Sequence, residues 1–364
     1  MTLTAIAVEH AGQFMFPTEL TKSREDFAEG RISADELKKV EDKCISELVE
    51  RQREAGLSAI TDGEMRRHSW DLDLLCGLEG VECRCVTSGN LWQDTELCAS
   101  VPEITGDIKF NPEHPIFGQF LFLKNLLKKG ETARVTLPAP AHLLVWLMLN
   151  GNVSDAASVA GQLAEAYRLT INRLYELGCR SVILRDTSWN TFCDHDKLKR
   201  LLQGGLDPVA LMPMLTSVND ESLAGMPADM EIILSIKANC TERFGHASRL
   251  HPLIVEAIFN HANVSAFMAE SDTACNLLGD SNVSFPDGKG LILGVVDVKQ
   301  PQLESEQSII TKVDNLLAKI TPAWLRISPV DGFMVNDDAY DTSSFTTEDQ
   351  WRKITLLKNV AANI

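Results

Sequence analysis

The chain has 364 residues with 34 basic and 51 acidic side chains, a formal net charge of −17, and 45% hydrophobic against 23% charged residues. This is ordinary globular composition, with enough apolar content to bury a substantial core. A pI near 4.9 without clustered Lys or Arg argues against nucleic acid and anionic membranes as partners, and leaves a small molecule as the expected ligand.

Short β-branched runs ending in polar residues recur along the chain, separated by amphipathic stretches of helix length. Eight runs are expected as strands: 3–8, 57–61, 133–137, 181–184, 231–236, 264–269, 291–297 and 324–328. After the first, Ser33-Ala-Asp-Glu36 reads as a capping box opening a helix that stops at Gly56. Further helices are expected over 154–177, 249–262 and 302–320, and a last one after Thr346. Strand–helix alternation with continuous apolar strands implies a parallel sheet, and eight strands imply a closed (β/α)8 TIM barrel. The open doubly wound alternative lacks a G-x-G-x-x-G after the first strand. Residues 76–130 are expected to hold a hairpin insertion after strand 2, and 187–228 an extra helical excursion, within a single domain spanning 1–364.

No apolar run approaches the roughly 20 residues that cross a bilayer. The N-terminal MTLTAIAVEH lacks the regions of a signal peptide, so a cytoplasmic location is expected. Nine cysteines are too dilute for a disulfide scaffold and are expected as free thiols, mostly buried. Cys83 and Cys85 form a C-x-C pair without a second pair at zinc-binding spacing, and read as two thiols on a hairpin.

A barrel places its active site at the carboxyl ends of its strands. There the sequence offers His10, Gly12 and Gln13 after strand 1, and Asp62, Glu64, Arg66 and Arg67 after strand 2. Trp146 follows strand 3, while Arg185, Asp186 and Trp189 stand at strand 4 and Lys237 and Cys240 at strand 5. Glu270 and Asp272 follow strand 6, Asp297 and Lys299 strand 7, and Ser328, Asp331 and Gly332 strand 8. Asp62, Asp272 and Ser328 read readily as helix caps; Glu64, Arg185, Lys299 and Asp331 together do not.

These residues also carry a resemblance. The stretch His10 to Pro17, the ITDGEMRR of Ile60 to Arg67, NPEHP at Asn111, AYRLTINRLYELGCR up to Arg180, DTSW at Asp186, LGVVDVKQPQLE from Leu293 and ISPVDGF from Ile327 resemble the catalytic domain of cobalamin-independent methionine synthases, in particular their short single-barrel relatives. The resemblance spans nearly the whole chain. It implies a zinc ion that holds the homocysteine thiol as a thiolate while methyltetrahydrofolate supplies the methyl group; a free thiol, with a pKa of about 8.5, is a poor nucleophile. The implied zinc ligands are a His-x-Cys after strand 5, a Glu after strand 6 and a Cys after strand 8. Those positions here read Ala238-Asn239-Cys240, Glu270 and Asp331. Zinc prefers N and S donors, so Cys240, Glu270 and Asp331 form a degenerate set, expected to be empty.

The substrate side departs as well. Arg185 stands where the family's acidic residue holds the amino group of homocysteine, so a carboxylate or other anion replaces the ammonium. The family's Gly-Ser after strand 1 has become Gly12-Gln13, and Phe16 replaces a basic residue before Pro17. Glu64, Trp146 and Asp186 are kept, and Lys299 stands where the classical enzymes place a proton-donating His.

The leading expectation is an enzyme without a metal cofactor acting on a small anionic substrate. Arg185 anchors the anion, with His10, Gly12, Gln13, Trp146 and Trp189 around it, and Glu64, Lys299 and Asp186 serve the chemistry. The distantly related uroporphyrinogen decarboxylases suggest decarboxylation, elimination or isomerisation by analogy. One alternative is zinc-dependent alkyl or methyl transfer to a thiol, with His246 or His261 as a further nitrogen ligand; the other is an inactive ligand-binding paralogue. The final helix, with Trp351, Ile354, Leu357 and Val360, reads as barrel closure or the face of a homodimer.

Overall fold

The computed structural model describes the chain except residues 1–5, 88–97, 151, 152, 154, 238–251, 272, 273, 275, 276, 278–282 and 335–344. In chain order it contains β1 (Ala7–Val8), α1 (Thr18–Ala28), α2 (Ala34–Ala55), α3 (Leu72–Cys76), β2 (Glu79–Thr87), β3 (Cys98–Lys109) and α4 (Pro115–Leu126). Then come β4 (Arg134–Pro138), α5 (Pro140–Leu149), α6 (Ala156–Glu176), β5 (Ser181–Asp186), a 3-10 turn (Ser188–Cys193), α7 (His195–Gln203) and α8 (Pro208–Ser222). The last third holds β6 (Glu231–Ile236), α9 (Pro252–Phe259), β7 (Ala266–Glu270), β8 (Gly290–Val296), α10 (Glu306–Leu317), β9 (Leu325–Pro329) and α11 (Thr347–Asn363).

Seven strands form one parallel sheet in the order β1-β9-β8-β7-β6-β5-β4. The eighth expected strand, 57–61, is a single bridge between Ile60 and Ala133 rather than a ladder. It still joins the two sheet edges. Ser58 N donates to Val8 O at 3.1 Å, Ile60 N to Thr132 O at 2.9 Å, and Arg134 N to Ile60 O at 2.9 Å. Pairing stops at Thr61 because Gln52, wholly buried on α2, takes over its backbone: Thr61 N donates to Gln52 Oε1 at 3.0 Å and Gln52 Nε2 to Thr61 O at 2.7 Å. The expected barrel is therefore present, with one short stave.

Strand residues alternate between the barrel interior and the helical layer. Ala11, Ile183, Ile233, Ala266, Met268 and Ile292 form the inner cluster, and the opposite faces merge with the helices into the larger core. The capping box at Ser33 is formed, and α2 stops at Gly56 in a left-handed conformation, φ 71°. On α11 a second capping box, between Thr346 and Asp349, sets the start, and Trp351, Ile354, Leu357 and Val360 are buried against β1 and β9. Burial of each Ile, Leu or Val contributes about 1.5–3 kcal/mol, so α11 closes the barrel. The insertions lie where expected: β2 and β3 pair as an antiparallel hairpin, and the 3-10 turn and α7 fill the excursion after β5.

The thiol expectation needs correction. Cys83 on the hairpin is bonded to Cys76 at the end of α3, with Cα atoms 5.5 Å apart, and Cys193 is also disulfide-bonded. The Cys76–Cys83 link ties the inserted hairpin to the segment that follows strand 2. Cys44 and Cys179 are buried free thiols, as expected. Among the described residues no helix is long and apolar enough to cross a membrane.

Candidate functional site

Three anchors shape the carboxyl face of the barrel. The loop after β1 is held from α11, where the buried Gln350 accepts from Met15 N at 3.0 Å. It also crosses the loop after β9: Phe333 N donates to Gln13 O at 2.7 Å, and a Cβ on Gly12 (φ 87°) would lie 3.2 Å from Gly332 Cα and 3.4 Å from Arg185 Nη1. Glycine at both crossing points lets the two backbones meet beside Arg185. The third anchor is the Gln52 clasp on Thr61, after which Gly63 and Glu64 turn left-handed, φ 67° and 57°. For a glutamate this conformation costs about 1–3 kcal/mol, and such strain gathers at functional sites. Here it directs the Glu64 carboxyl inward.

Arg185 Nη2 donates to Asp331 Oδ1 at 2.6 Å, and Lys237 Nζ binds Asp331 Oδ2. These three residues, with Glu270, Ala11 and Met268, line a small cavity of about 10 Å³ at the mouth of the barrel. Burial would raise the Asp331 carboxyl, but Arg185 and Lys237 outweigh it and hold Asp331 below the usual carboxylate range. The indole of Trp70 covers the other side of Arg185, 4.5 Å from its guanidinium carbon.

Two buried groups beside this ion pair have no hydrogen-bond partner. Glu64 is 2% exposed, and both its carboxyl oxygens are unbonded, with Arg67 Nη1 at 3.2 Å outside good geometry. Burial raises its pKa against the pull of Arg67 and Arg185. His10 is 1% exposed, its ring stacked with Phe333 at 5.1 Å and tilted on Phe14 at 4.0 Å, with neither nitrogen in a hydrogen bond of good geometry although the backbone of Gly12 and Gln13 lies close. Burial lowers its pKa to about 3; Arg185 adds to that effect, while Asp331 and the backbone of Gly12 and Gln13 oppose it. Buried polar atoms are almost always satisfied by protein, water or ligand, and Glu64 and His10 depart from that rule.

Because Glu64 is pushed up by burial, the native state holds its proton above the pH at which the unfolded chain releases it. Its contribution to stability is complete in acid and is lost as pH rises through the raised value. Glu64→Gln is therefore expected to match the wild type near pH 4 and to be the more stable protein at pH 7, as read by urea midpoints at both pH values.

Other expected site residues fall into place unevenly. Asp186 is wholly buried and accepts four bonds, from Ser188 N and Oγ at 2.9 and 2.6 Å, Trp189 Nε1 at 3.1 Å and Asn219 Nδ2 at 2.9 Å. These bonds engage both of its carboxyl oxygens and hold the loop after β5. Trp189, expected on the rim, is wholly buried with its indole against Phe192, because Asp186 draws its N–H inward. Trp146 is half-buried on α5 and packs against the core. Lys237 shares Asp331 with Arg185, and Lys299 is half-buried after β8, its backbone N donating to Asp297 Oδ1 at 2.9 Å. His261 is buried, with Nδ1 3.1 Å from Asp220 Oδ1. Cys240, His246 and Asp272 lie outside the described residues.

Sequence reasoning missed a polar array beside Trp70. His142 Nε2 is 2.9 Å from Asp71 Oδ2 and its Nδ1 is 2.7 Å from Thr187 Oγ1, while its ring lies 4.8 Å from that of Trp70. Burial works against Asp71, but bonds from His142 and Ser69 keep its pKa lowered. Trp70 also lines a larger cavity, about 340 Å³, together with Arg66, Arg67 and His114 among others. No periodic pattern marks these residues, since they meet only through the fold.

No protein-family model matches the chain. It is 28% identical over 360 residues to the uncharacterized protein YxjH of Bacillus subtilis, an alignment covering 98% of this chain and 94% of that protein. A Corynebacterium glutamicum 5-methyltetrahydropteroyltriglutamate–homocysteine methyltransferase is 22% identical over 335 residues, 90% of this chain but 41% of that enzyme. Among solved structures, a Listeria monocytogenes chain provisionally named a vitamin-B12-independent methionine synthase superposes with a TM-score of 0.75 at 27% identity, covering 100% of this chain and 99% of its own. A B12-independent methionine synthase from Shewanella, solved with selenomethionine, gives 0.67 at 15% identity over 98% and 97% of the two chains. The resemblance read from the sequence thus extends over the whole chain and its fold.

Proposed function

We propose that this methionine-synthase-like barrel acts on a small carboxylate by acid–base chemistry that uses no metal. The observation that carries this reading is a pair of buried groups without hydrogen-bond partners, Glu64 and His10, near enough to Arg185 and Asp331 of the Arg185–Asp331–Lys237 cluster to feel their charge. The cavity carries two cations, Arg185 and Lys237, and two carboxylates, Asp331 and Glu270, and the guanidinium of Arg185 is the group that suits an anion. The raised pKa of Glu64 makes it a proton donor for a bound substrate, and the neutral ring of His10 offers both a donor and an acceptor. Lys299, at the same face, is the second acid–base candidate.

The residues present fit zinc poorly. Both oxygens of Asp331 face cations, Arg185 and Lys237, and a divalent ion there would have to displace both. Among the described residues no three His, Cys, Asp or Glu side chains gather as a ligand set. The reading that keeps thiol alkylation rests on the whole-chain likeness to methyltransferases and on Glu64 and Glu270.

Two measurements decide between them. Elemental analysis of protein purified without a metal-affinity tag is expected to find well under one zinc per folded chain; one zinc per chain, lost in Cys240→Ala, would restore thiol transfer. Titration with a panel of mono- and dicarboxylates, with amino acids as controls, is expected to find carboxylate binding that Arg185→Met weakens about 10- to 100-fold, the worth of a charge-assisted hydrogen bond. Preference for an amino acid with a free ammonium would overturn the anion assignment.

A further inference from the structure

The Thr187–His142–Asp71 array lies outside the acid–base set above and has the order of a base-activated nucleophile. Asp71 also accepts from Ser69 Oγ at 2.5 Å and Leu72 N at 2.9 Å, so its ionised carboxylate can only accept. The ring of His142 therefore carries its proton on Nε2, 2.9 Å from Asp71, and turns the Nδ1 lone pair to the Thr187 hydroxyl 2.7 Å away. Hydroxyl, imidazole and carboxylate come from three separate segments: the residue after β5, the first turn of α5 and the residue before α3. His142 and Asp71 are 11% and 14% exposed and Thr187 is half-buried, so the hydroxyl is sheltered without being sealed.

We propose that Thr187 is an acyl-accepting nucleophile, with His142 as its general base and Asp71 as the residue that orients His142, and that the ligand class is a small carboxylic ester or thioester. The Thr187 oxygen attacks the acyl carbon, forming a C–O bond as its proton passes to His142 Nδ1. The tetrahedral adduct then expels the alcohol or thiol, which leaves with the bonding electron pair and takes that proton from His142. Water, deprotonated in turn by His142, cleaves the acyl-threonine, releases the carboxylic acid and restores the hydroxyl. This activity is independent of the role assigned to Arg185, and its test does not involve carboxylate binding.

The full-length chain is treated with p-nitrophenyl acetate at pH 7.5, p-nitrophenolate release is followed, and acetylated peptides are mapped by mass spectrometry. Acetyl-Thr187 is expected in the wild type, retained as an acetyl-serine in Thr187→Ser and absent in Thr187→Ala. His142→Gln should slow its formation about 100-fold or more, the usual worth of a general base. Asp71→Asn should slow it less and change its pH profile. Acetyl groups confined to lysines, with Thr187→Ser folded by circular dichroism and equally unmodified at 187, would overturn the proposal. So would Thr187 acetylation at an unchanged rate in folded His142→Gln.

Discussion

Arg134→Met is expected to lower the free energy of unfolding by about 3–5 kcal/mol. Arg134 opens β4 and is 2% exposed at the amino end of the barrel, away from the candidate site. Its guanidinium binds both carboxyl oxygens of Glu9, Ser181 Oγ at 2.9 Å and Glu231 Oε2 at 3.0 Å, while Arg326 reaches Glu9 at 2.8 Å and Glu231 at 3.0 Å. Burial alone would lower the pKa of Arg134, but Glu9 and Glu231 outweigh it, and Glu231 in turn sits below the usual carboxylate range because Arg134 and Arg326 outweigh its burial. Methionine fills the space but leaves Glu9, 1% exposed, with one cation for a charge that two now share. A urea midpoint that falls with an unchanged slope reads the loss. Removing both charges in Glu9→Leu/Arg134→Met should cost less than the sum of the single changes, because no buried ion is then left alone. A loss under about 1 kcal/mol for Arg134→Met would place this network with exposed ion pairs, which contribute little.

The same network shows why parts of this protein are legible in sequence and others are not. Strand positions follow from apolar runs, and β6 begins and ends where the run at Glu231 to Ile236 does. The capping boxes at Ser33 and Thr346 fix helix starts through local hydrogen bonds, which a sequence pattern records directly. The short second stave is different: its length depends on Gln52, nine residues earlier on another element, competing for the backbone of Thr61. The site divides in the same way. Arg185, Asp331, Glu64 and His10 stand at strand ends and converge because the barrel makes strand ends converge. Lys237 was visible at a strand end, yet its bond to Asp331 rather than to a ligand is a matter of side-chain reach. Trp70 and His142 meet Arg185 and Thr187 only because the loop after strand 2 folds over the mouth, and no local signal encodes that contact.

Acidification should separate the wild type from His10→Phe. In the native chain His10 stays neutral down to about pH 3, whereas an unfolded histidine takes up its proton near pH 6.5. The unfolded state thus binds the extra proton between these values, so the contribution of His10 is fully present above pH 6.5 and declines as pH falls. The decline amounts to about 2 kcal/mol by pH 5, and on the order of 5 kcal/mol by pH 3. Phenylalanine keeps the aromatic contacts with Phe14 and Phe333 and has nothing to protonate. The two proteins should therefore lie close in stability at pH 7.5, and the variant should be ahead by about 2 kcal/mol at pH 5 in urea unfolding. His114, lowered by burial, adds a decline of the same sign, and Glu64 adds the opposite sign, but both are common to the two proteins and cancel in the comparison. Should the two stability curves run parallel from pH 7.5 to 5, the ring would have to be charged in the native state. A charged His10 beside Arg185 would repel rather than complement that cation, and the neutral donor–acceptor role proposed for the ring would fall with it. If the curves diverge as expected, a ligand that bonds both orphaned groups should narrow the gap between the proteins by binding the wild type more tightly.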